Sequence, residues 1–425
     1  MKALLKNIHW SVHSTVFLAL IIALSFAWQY WIYRPRAPIK IGILHSTTGT
    51  MAISEKSLVD AVEMAIDEIN ANGGLLDGRM VVAVIADGKS DPDTFAREAD
   101  RLIVEEKVCT VFGCWTSASR KTAREVFERR DHLLFYPVQY EGLEQSPNIV
   151  YTGATPNQQI IPSVRWGLIN VGKRFFLVGS DYVFPRTANA VTREYIERWR
   201  GQIVGEEYIP LGSTNVTEMV KKIVAAKPDI ILNTINGDSN LAFFKALRKA
   251  GVTADKIPTI SYSISEEELS HLDPDLVVGD YAAWNYFQSV DRGYNQDFVK
   301  RFKDKYGPAR VTTDPIEASY FGVHLWAAAV EQAGSINPKA IREALPDQSV
   351  RAPGGMVYID PETLHTWKIA RLGRIRDDGQ FDIVWDSGTP VRPIPFPEHR
   401  TRKEWEAMLE SLYQGWGGQW QAPTK

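Results

Sequence analysis

The chain has 425 residues, of which 44% are hydrophobic and 23% charged, an ordinary globular mixture that is long enough for two hydrophobic cores. Acidic and basic residues are interspersed and give a formal net charge of −3, so there is neither a basic footprint for nucleic acid nor an acidic tail. We therefore expect no nucleic-acid partner.

The N-terminal segment, residues 1–38, indicates export from the cytoplasm. An apolar stretch at 16–24 is followed by uncharged, largely aromatic residues up to Arg34. Ser25-Phe26-Ala27 fits the small-x-small pattern of a signal-peptidase site, whereas an uncharged run of about 20 residues can span a bilayer as a helix. We expect an uncleaved membrane helix, because cleavage after Ala27 would leave an aromatic terminus exposed. The predicted location is extracytoplasmic or periplasmic, anchored in the cytoplasmic membrane.

Strand-like and helix-like stretches alternate after residue 38, as the apolar spacing of Leu58, Val62 and Ile69 illustrates. The first series predicts a strand at 39–44, a helix at 54–72, a strand at 81–86, a helix at 92–106, a strand at 108–113, a helix at 119–130 and a strand at 133–136. Cys109 and Cys114 would lie roughly 16 Å apart on the extended chain, too far for a disulfide, so we expect two free thiols. This series predicts a doubly wound α/β lobe.

A second series predicts a second lobe. It begins with a helix near 157 and continues with a strand at 174–179, a helix at 186–200, a strand at 204–209, a helix at 216–226, a strand at 230–233, a helix at 239–250 and a strand at 259–261. Helices are then expected at 295–306, 315–333 and 338–344. Two last strands, 366–375 and 381–385, are joined by Asp377-Asp378-Gly379, which predicts a hairpin with an Asp-Gly turn.

The chain changes character beyond Ser387. Pro390, Pro393, Pro395 and Pro397 predict an extended, Pro-rich strap, and the following residues predict a short amphipathic helix with Trp405, Met408, Leu409 and Leu412 on one face. Two interpretations stay open for this C-terminal part: it packs on its own protein, or it docks on a membrane partner.

Sequence motifs of catalysis are missing. The chain has no G-x-G-x-x-G, Walker loop, H-E-x-x-H, C-x-x-C or G-x-S-x-G motif, and its histidines are scattered without metal-ligand spacing. We therefore expect no enzyme activity, no cofactor and no metal.

Polar and aromatic residues follow the predicted strands, at the edge where an open parallel sheet places its ligand. In the first lobe, Ser117 and the start of its helix could donate to a carbonyl oxygen, or Ser117 could simply cap the helix. Trp115 is either a pocket wall or a lid over the core, and Tyr136 is assigned to the pocket. In the second lobe, Asp181 is an acceptor for an amide N–H or a helix cap, and Tyr182 is expected to face the cleft rather than either core. Asp238 is interpreted as a plain helix cap.

Several segments together resemble the substrate-binding proteins of urea ABC transporters. They are IGILHS (41–46), GTMAISE (49–55), GCWTSASRK (113–121), YPVQYEG (136–142), GSDYVFPR (179–186), NGDSN (236–240) and YAAWNYFQ (281–288). The resemblance covers about residues 39–390, and it extends less closely to short-chain amide-binding proteins and an amide-sensing regulator of the same fold.

The resemblance implies the type I periplasmic-binding-protein fold, α/β with two doubly wound lobes joined by a three-strand hinge. It assigns 39–153 and 285–347 to the first lobe, 154–284 and 348–390 to the second, and leaves 391–425 as the strap and helix. The implied function is capture of urea or a short-chain amide between the lobes and delivery to an ABC permease. A membrane-tethered sensory module is the alternative.

Ligand contacts are implied at the positions matching Trp115, Ser117, Tyr136 and Tyr182. The full set of candidate ligand-binding residues is Trp115, Thr116, Ser117, Tyr136, Val138, Asp181, Tyr182, Phe184, Asn236 and Asp238. Urea is planar and neutral, with four N–H donors and one carbonyl acceptor, so a selective pocket needs aromatic walls, a few donors and several acceptors.

Overall fold

The computed structural model describes residues 16–17, 19–25, 36–346 and 348–423. Its strands are β1 (Ile39–His45), β2 (Val81–Asp87), β3 (Val111–Gly113), β4 (Leu134–Tyr136), β5 (Ile149–Tyr151), β6 (Arg174–Ser180), β7 (Gln202–Ile209), β8 (Ile230–Thr234), β9 (Thr259–Ser261), β10 (Tyr281–Trp284), β11 (Ser349–Ala352), β12 (Gly355–Ile359), β13 (Thr366–Trp367), β14 (Arg371–Ile375) and β15 (Phe381–Asp386).

The helices that surround these strands begin after residue 51. They are α1 (Ala52–Ala71), α2 (Pro92–Val104), α3 (Ser117–Arg130), α4 (Ile160–Asn170), α5 (Val183–Arg198), α6 (Thr217–Ala226), α7 (Ser239–Lys249), α8 (Glu266–Leu269), α9 (Gly293–Tyr306), α10 (Asp314–Ala333), α11 (Pro338–Ala344) and α12 (Arg402–Gly415).

Two sheets organise the molecule. The first has five parallel strands in the order β2-β1-β3-β4-β5. The second has seven strands in the order β15-β14-β10-β9-β8-β6-β7, parallel from β7 to β10 and antiparallel at β14 and β15. The predicted pair of α/β sheets is confirmed. The predicted terminal hairpin is confirmed for β14 and β15, but its first strand was expected at 366–375, and residues 366–367 instead form β13, which pairs with β12 in a three-stranded sheet with β11.

Helix α1 shows how the sequence pattern produces local structure. Leu58, Val62 and Ile69 are buried against the first sheet, as their helical spacing predicts. The helix ends before Gly73 and Gly74, which have φ angles of +100° and +77°. A Cβ at Gly74 would lie 2.4 Å from the carbonyl oxygen of Arg79, so only glycine fits this turn.

Two lobes are defined here by the core in which their residues pack: the first lobe is residues 39–153 and 285–365, and the second is 154–284 and 366–390. Ala352, Val357, Ile359 and Leu364 pack in the first core, although the resemblance assigned residues 348 onward to the second lobe. The inward residues of β12 alternate with exposed ones, which is the pattern of a strand with one buried face. The third crossover therefore lies after His365 rather than at 347.

A buried asparagine joins the three crossover segments. The side-chain nitrogen of Asn285 donates to the carbonyl oxygens of Gln158 at 3.0 Å and Ile369 at 2.9 Å. The side-chain amide of Gln158 in turn donates to the carbonyl oxygen of Thr366 at 2.9 Å. Because each crossover is bonded to its neighbours, the hinge is one hydrogen-bonded unit.

The C-terminal tail, residues 391–423, packs on the chain itself. Trp405 is fully buried and Leu409 is 7% exposed, both in the core of the second lobe. Cys109 and Cys114 are buried free thiols, as predicted. Within the described residues, no helix is long and apolar enough to cross a membrane. Most of the predicted anchor, including residues 1–15 and 26–35, lies outside the described residues.

Candidate ligand-binding site

The carboxyl ends of the parallel strands in both sheets face the space between the lobes, which we call the cleft. His45, Gly113 and Tyr136 end strands β1, β3 and β4 of the first lobe. Ser180 and Thr234 end β6 and β8 of the second. Ligands of open α/β sheets bind at this edge, so the cleft is the candidate site.

The turn from β3 into α3 forms the first-lobe side of the cleft. A Cβ at Gly113 would lie 2.0 Å from the carbonyl oxygen of Leu44, so the two strands approach too closely for any other residue. The Tyr136 hydroxyl donates to the carbonyl oxygen of Trp115 at 2.6 Å. Both aromatic side chains are buried, and this hydrogen bond fixes the loop beside them.

Ser117 is not the cap of α3. That role belongs to Thr116, whose hydroxyl accepts from the backbone N–H of Ser119 at 3.1 Å. The Ser117 hydroxyl instead donates to the Glu141 carboxylate and accepts from Arg120 Nη1 at 2.9 Å. Since its single proton is used, Ser117 can offer a ligand an acceptor lone pair but not the donor expected from the sequence.

A buried charge cluster lies behind Ser117. Arg120 pairs with Glu141 at 3.2 Å and with Glu144 at 2.8 Å, and all three side chains are at most 1% exposed. Glu144 also pairs with Lys121 at 3.0 Å and with Arg124 at 3.1 Å. Burial alone would raise the pKa of Glu144, but these three cations hold it well below its ordinary value. Arg124 also pairs with Glu128 at 3.6 Å, so the three cations of this cluster are matched by three carboxylates.

Tyr182 forms the second-lobe side of the cleft. It stands at the start of α5 and is 2% exposed. Burial raises the pKa of its phenol well above the ordinary value, and the neighbouring Tyr136 and Glu141 act in the same direction. The first-lobe residues Ala118 and Leu143 belong to the same buried cluster as Tyr182, so this side chain lies where the two lobes meet. It also packs in the second-lobe core with Phe184, their rings 6.2 Å apart, so it serves both cleft and core.

The lobes touch across the cleft. Gln139 Nε2 of the first lobe donates to the carbonyl oxygen of Tyr262 of the second at 2.7 Å. A Cβ at Gly237 would lie 2.9 Å from the carbonyl oxygen of Thr50, so the loop after β8 approaches the first lobe closely. These contacts describe a closed two-lobed clamp.

The family description "Periplasmic binding protein domain" matches residues 39–402. The chain belongs to the periplasmic binding protein family. Membership in this family implies an extracytoplasmic location.

Relatives and solved structures of binding proteins match most of the chain. It is 35% identical over 385 residues to Leu/Ile/Val-binding protein homolog 8 of Brucella abortus, covering 85% of this chain and 93% of that protein. A solute binding protein of an ABC transporter from Rhodopseudomonas palustris, in complex with 3,4-dihydroxybenzoic acid, is 22% identical with a TM-score of 0.76, covering 84% of this chain and 98% of that one. A branched-chain amino acid binding protein from Streptococcus pneumoniae, in complex with isoleucine, is 20% identical with a TM-score of 0.69, covering 84% and 100%.

One relative matches only a part of the chain. Limonene hydroxylase from Geobacillus stearothermophilus is 29% identical over 140 residues, which span 32% of this chain and 26% of that protein. The matches along most of the chain are with binding proteins.

Two acidic candidate ligand-binding residues of this periplasmic binding protein do not have the roles expected from the sequence. Asp181 pairs with Arg186 Nε at 2.8 Å, so its carboxylate is already neutralised and it does not cap a helix. Asp238 occupies the cap position of α7, but its side chain makes no capping hydrogen bond and is exposed. Neither carboxylate is buried in the cleft as an acceptor.

The remaining candidates shape the backbone around the site. Asn236 donates from its backbone N–H to Ser180 Oγ at 3.1 Å and from its side chain to the Thr234 carbonyl oxygen at 3.1 Å. The carbonyl oxygen of Val138 lies 2.0 Å from where a Cβ of Gly153 would stand. Asn236 and Val138 therefore fix two loops at the edge of the cleft.

A buried histidine at the end of β1 was not singled out from the sequence. His45 is fully buried, and its Nδ1 lies 3.3 Å from Glu55 Oε2, which also accepts from the backbone N–H of Ser46 at 2.7 Å. His45 Nε2 and Gln139 Oε1 have no hydrogen-bond partner within the described part of the chain. The signal that could have identified His45 is its position at a strand end inside one of the resembling segments.

Proposed function

We propose that this periplasmic binding protein captures urea or a closely related short-chain amide in its cleft and delivers it to an ABC permease. Delivery is supported by the family and by structural relatives that are solute-binding proteins of ABC transporters. Closure of two lobes around a hinge buries a ligand and presents one defined conformation to a membrane partner.

The pairing of the buried cations with carboxylates is the observation that favours a neutral ligand. The dihydroxybenzoic acid and isoleucine bound to the structural relatives each carry a carboxylate group. In this chain, Arg120, Lys121 and Arg124 are already paired with three carboxylates, those of Glu141, Glu144 and Glu128. A ligand carboxylate placed beside Glu141 would meet an unfavourable negative charge in a dry site. A neutral ligand avoids that cost.

Shape and hydrogen bonding support a small planar amide. Trp115, Tyr136 and Tyr182 supply buried aromatic groups on both sides of the cleft. Ser117 Oγ and Gln139 Oε1 supply acceptors for N–H groups, of which urea has four. An acceptor-rich, aromatic pocket fits urea better than it fits an amino acid, whose ammonium and carboxylate each need a counter-charge.

Calorimetric titration of the purified protein tests this proposal. Urea, formamide, acetamide and thiourea form one panel, and isoleucine and 4-hydroxybenzoate form the other. We expect heat of binding from the first panel only, weakened by Ser117→Ala and unchanged by the matched exposed variant Ser270→Ala. Binding of isoleucine or 4-hydroxybenzoate without binding of any amide would contradict the proposed ligand.

The predicted membrane anchor rests on the sequence of residues 1–38 and is part of the same proposal. An anchored protein would keep its ligand-binding lobes close to the permease and would sediment with the membrane fraction. N-terminal sequencing that begins at Trp28 would show instead that the segment is removed.

A further inference from the structure

The C-terminal tail begins at the hinge. Asn157, beside the first crossover, donates from its side chain to the carbonyl oxygen of Arg392 at 2.8 Å and accepts from the backbone N–H of Ile394 at 2.8 Å. The side chain of Gln158, which also bonds the third crossover, donates to the carbonyl oxygen of Val391 at 2.8 Å. The origin of the tail is thus fixed where the lobes are joined.

The end of the tail pairs with the backbone around Tyr182. The backbone N–H of Val183 donates to the carbonyl oxygen of Trp420 at 3.0 Å. The backbone N–H of Ala422 donates to the carbonyl oxygen of Asp181 at 3.0 Å. Tyr182 and Gln421 form the bridge between these two bonds. The tail therefore holds the backbone on both sides of the aromatic residue that faces the cleft.

The same end of the tail contacts the first lobe. Lys121 Nζ, on α3, lies 4.9 Å from the centre of the Trp420 ring. The Trp420 ring packs on Tyr413 of α12 at 4.6 Å, which keeps it in place. Closer to the hinge, the backbone N–H of Leu143 donates to the carbonyl oxygen of Pro395 at 2.7 Å. Residues 391–423 therefore bond to both lobes, from the hinge to the edge of the cleft.

Helix α12 makes the second-lobe attachment stable. Trp405 is fully buried and its Nε1 donates to the carbonyl oxygen of Pro397 at 2.9 Å. Full burial of one large aromatic side chain stabilises an attachment more than a single cation above a partly exposed aromatic ring does. The tail should thus stay on the second lobe while its contact with Lys121 breaks and forms.

We propose that the C-terminal tail is a positioning element of the ligand site: residues 420–422 hold Tyr182 in place, and Trp420 on Lys121 holds the two lobes together. This inference rests on the proposed function of the cleft, but not on the identity of the ligand. When the lobes separate, Lys121 leaves the Trp420 ring, so the tail favours the closed arrangement and slows release of whatever the cleft contains.

Replacement of Trp420 tests the inference on the full chain. In Trp420→Ala we expect faster amide hydrogen exchange at residues 181–183 and a larger radius of gyration in solution scattering without ligand. Urea should bind about 2- to 30-fold more weakly, from the loss of the cation–aromatic contact. Trp420→Phe, which keeps a ring for Lys121, should restore most of all three properties. Trp385→Ala, on a half-buried tryptophan of β15, is the matched control.

The outcomes separate the two proposals. If the wild-type protein binds no amide, the proposed ligand is wrong, but hydrogen exchange and scattering still test the tail. If Trp420→Ala leaves exchange at 181–183 and the scattering curve unchanged, the tail does not position the site. If Trp420→Ala and Trp385→Ala raise exchange equally throughout the chain, Trp420 has only a general effect on folding, and the inference is overturned.

Discussion

Ser54 of α1 donates a hydrogen bond of 2.6 Å to Glu268 Oε1 of α8, and this bond joins the first lobe to the second. Glu268 Oε2 accepts from the backbone N–H of Ser265 at 2.9 Å, so the carboxyl group is held in place on its own lobe. Both side chains are buried. The bond can exist only when the lobes are closed.

Ser54→Ala should therefore favour the open arrangement. Loss of one buried hydrogen bond costs about 0.5–1.5 kcal/mol, which corresponds to roughly 2- to 12-fold weaker ligand binding. Calorimetry measures the change, with the exposed Ser270→Ala as the control. Unchanged affinity in Ser54→Ala would show that this contact does not contribute to closure.

Stability should fall as the pH rises from about 5 to 8. Burial raises the pKa of Glu266 from its ordinary value of 4.5 to about 8, and burial also raises the pKa of Glu317 to about 7. Each carboxyl group binds its proton more tightly in the folded state than in the unfolded state. Its contribution to stability is therefore complete at a pH below its pKa in the unfolded chain, and is lost as the pH rises past its pKa in the folded protein. Glu266→Gln should flatten this dependence. Unfolding by guanidinium chloride at several pH values measures the dependence of stability on pH. Guanidinium chloride is used because urea would also act as a ligand.

Glu144→Gln should destabilise the first lobe strongly. It removes the carboxylate that Arg120, Lys121 and Arg124 share, and leaves the buried Arg120 and Lys121 with only the charge of Glu141 to divide between them. Removing one partner of a buried ion pair typically costs about 3–5 kcal/mol. Denaturant midpoints should show this loss, while the exposed Glu362→Gln should change little. Equal midpoints for the two variants would mean that the cluster is solvated.

Two variants of Tyr182 separate its roles in cleft and core. Because Tyr182 is buried, Tyr182→Ala should cost about 3–5 kcal/mol of folding stability as well as ligand affinity. Tyr182→Phe keeps the packing and removes only the hydroxyl, so it should leave stability nearly unchanged and weaken binding about 2- to 12-fold. Urea titration and guanidinium midpoints on both variants decide this. Wild-type affinity in Tyr182→Phe would remove the hydroxyl from the ligand contacts.

The affinity for urea has an upper bound. Urea has four heavy atoms, and at about 1.5 kcal/mol per atom its binding free energy should not exceed about 6 kcal/mol, a Kd in the tens of micromolar. Titration calorimetry measures it directly. Nanomolar binding would contradict either the ligand or this bound.

Local patterns determined much of the architecture. The alternation of apolar strands and amphipathic helices predicted both sheets, because burial of one face imposes a period on the sequence. The same reasoning placed Trp115, Ser117, Tyr136 and Tyr182 at strand ends that the structure brings to one cleft. The residue pattern predicted neither β11 nor β12. It could not have assigned them to the first core either, because an alternating strand reveals that one face is buried but not which core buries it.

Tertiary structure alone decided which groups of the site can donate or accept a hydrogen bond, and what the C-terminal tail contacts. The proton of Ser117 is committed to Glu141, 24 residues away, and no local pattern reports a partner at that separation. Likewise, Trp420 reaches Lys121 and residues 181–183 only because the chain returns from the hinge to the cleft. Sequence specifies which side chains are apolar, charged or able to cap a helix. Which donor meets which acceptor is set when distant segments pack and water is excluded.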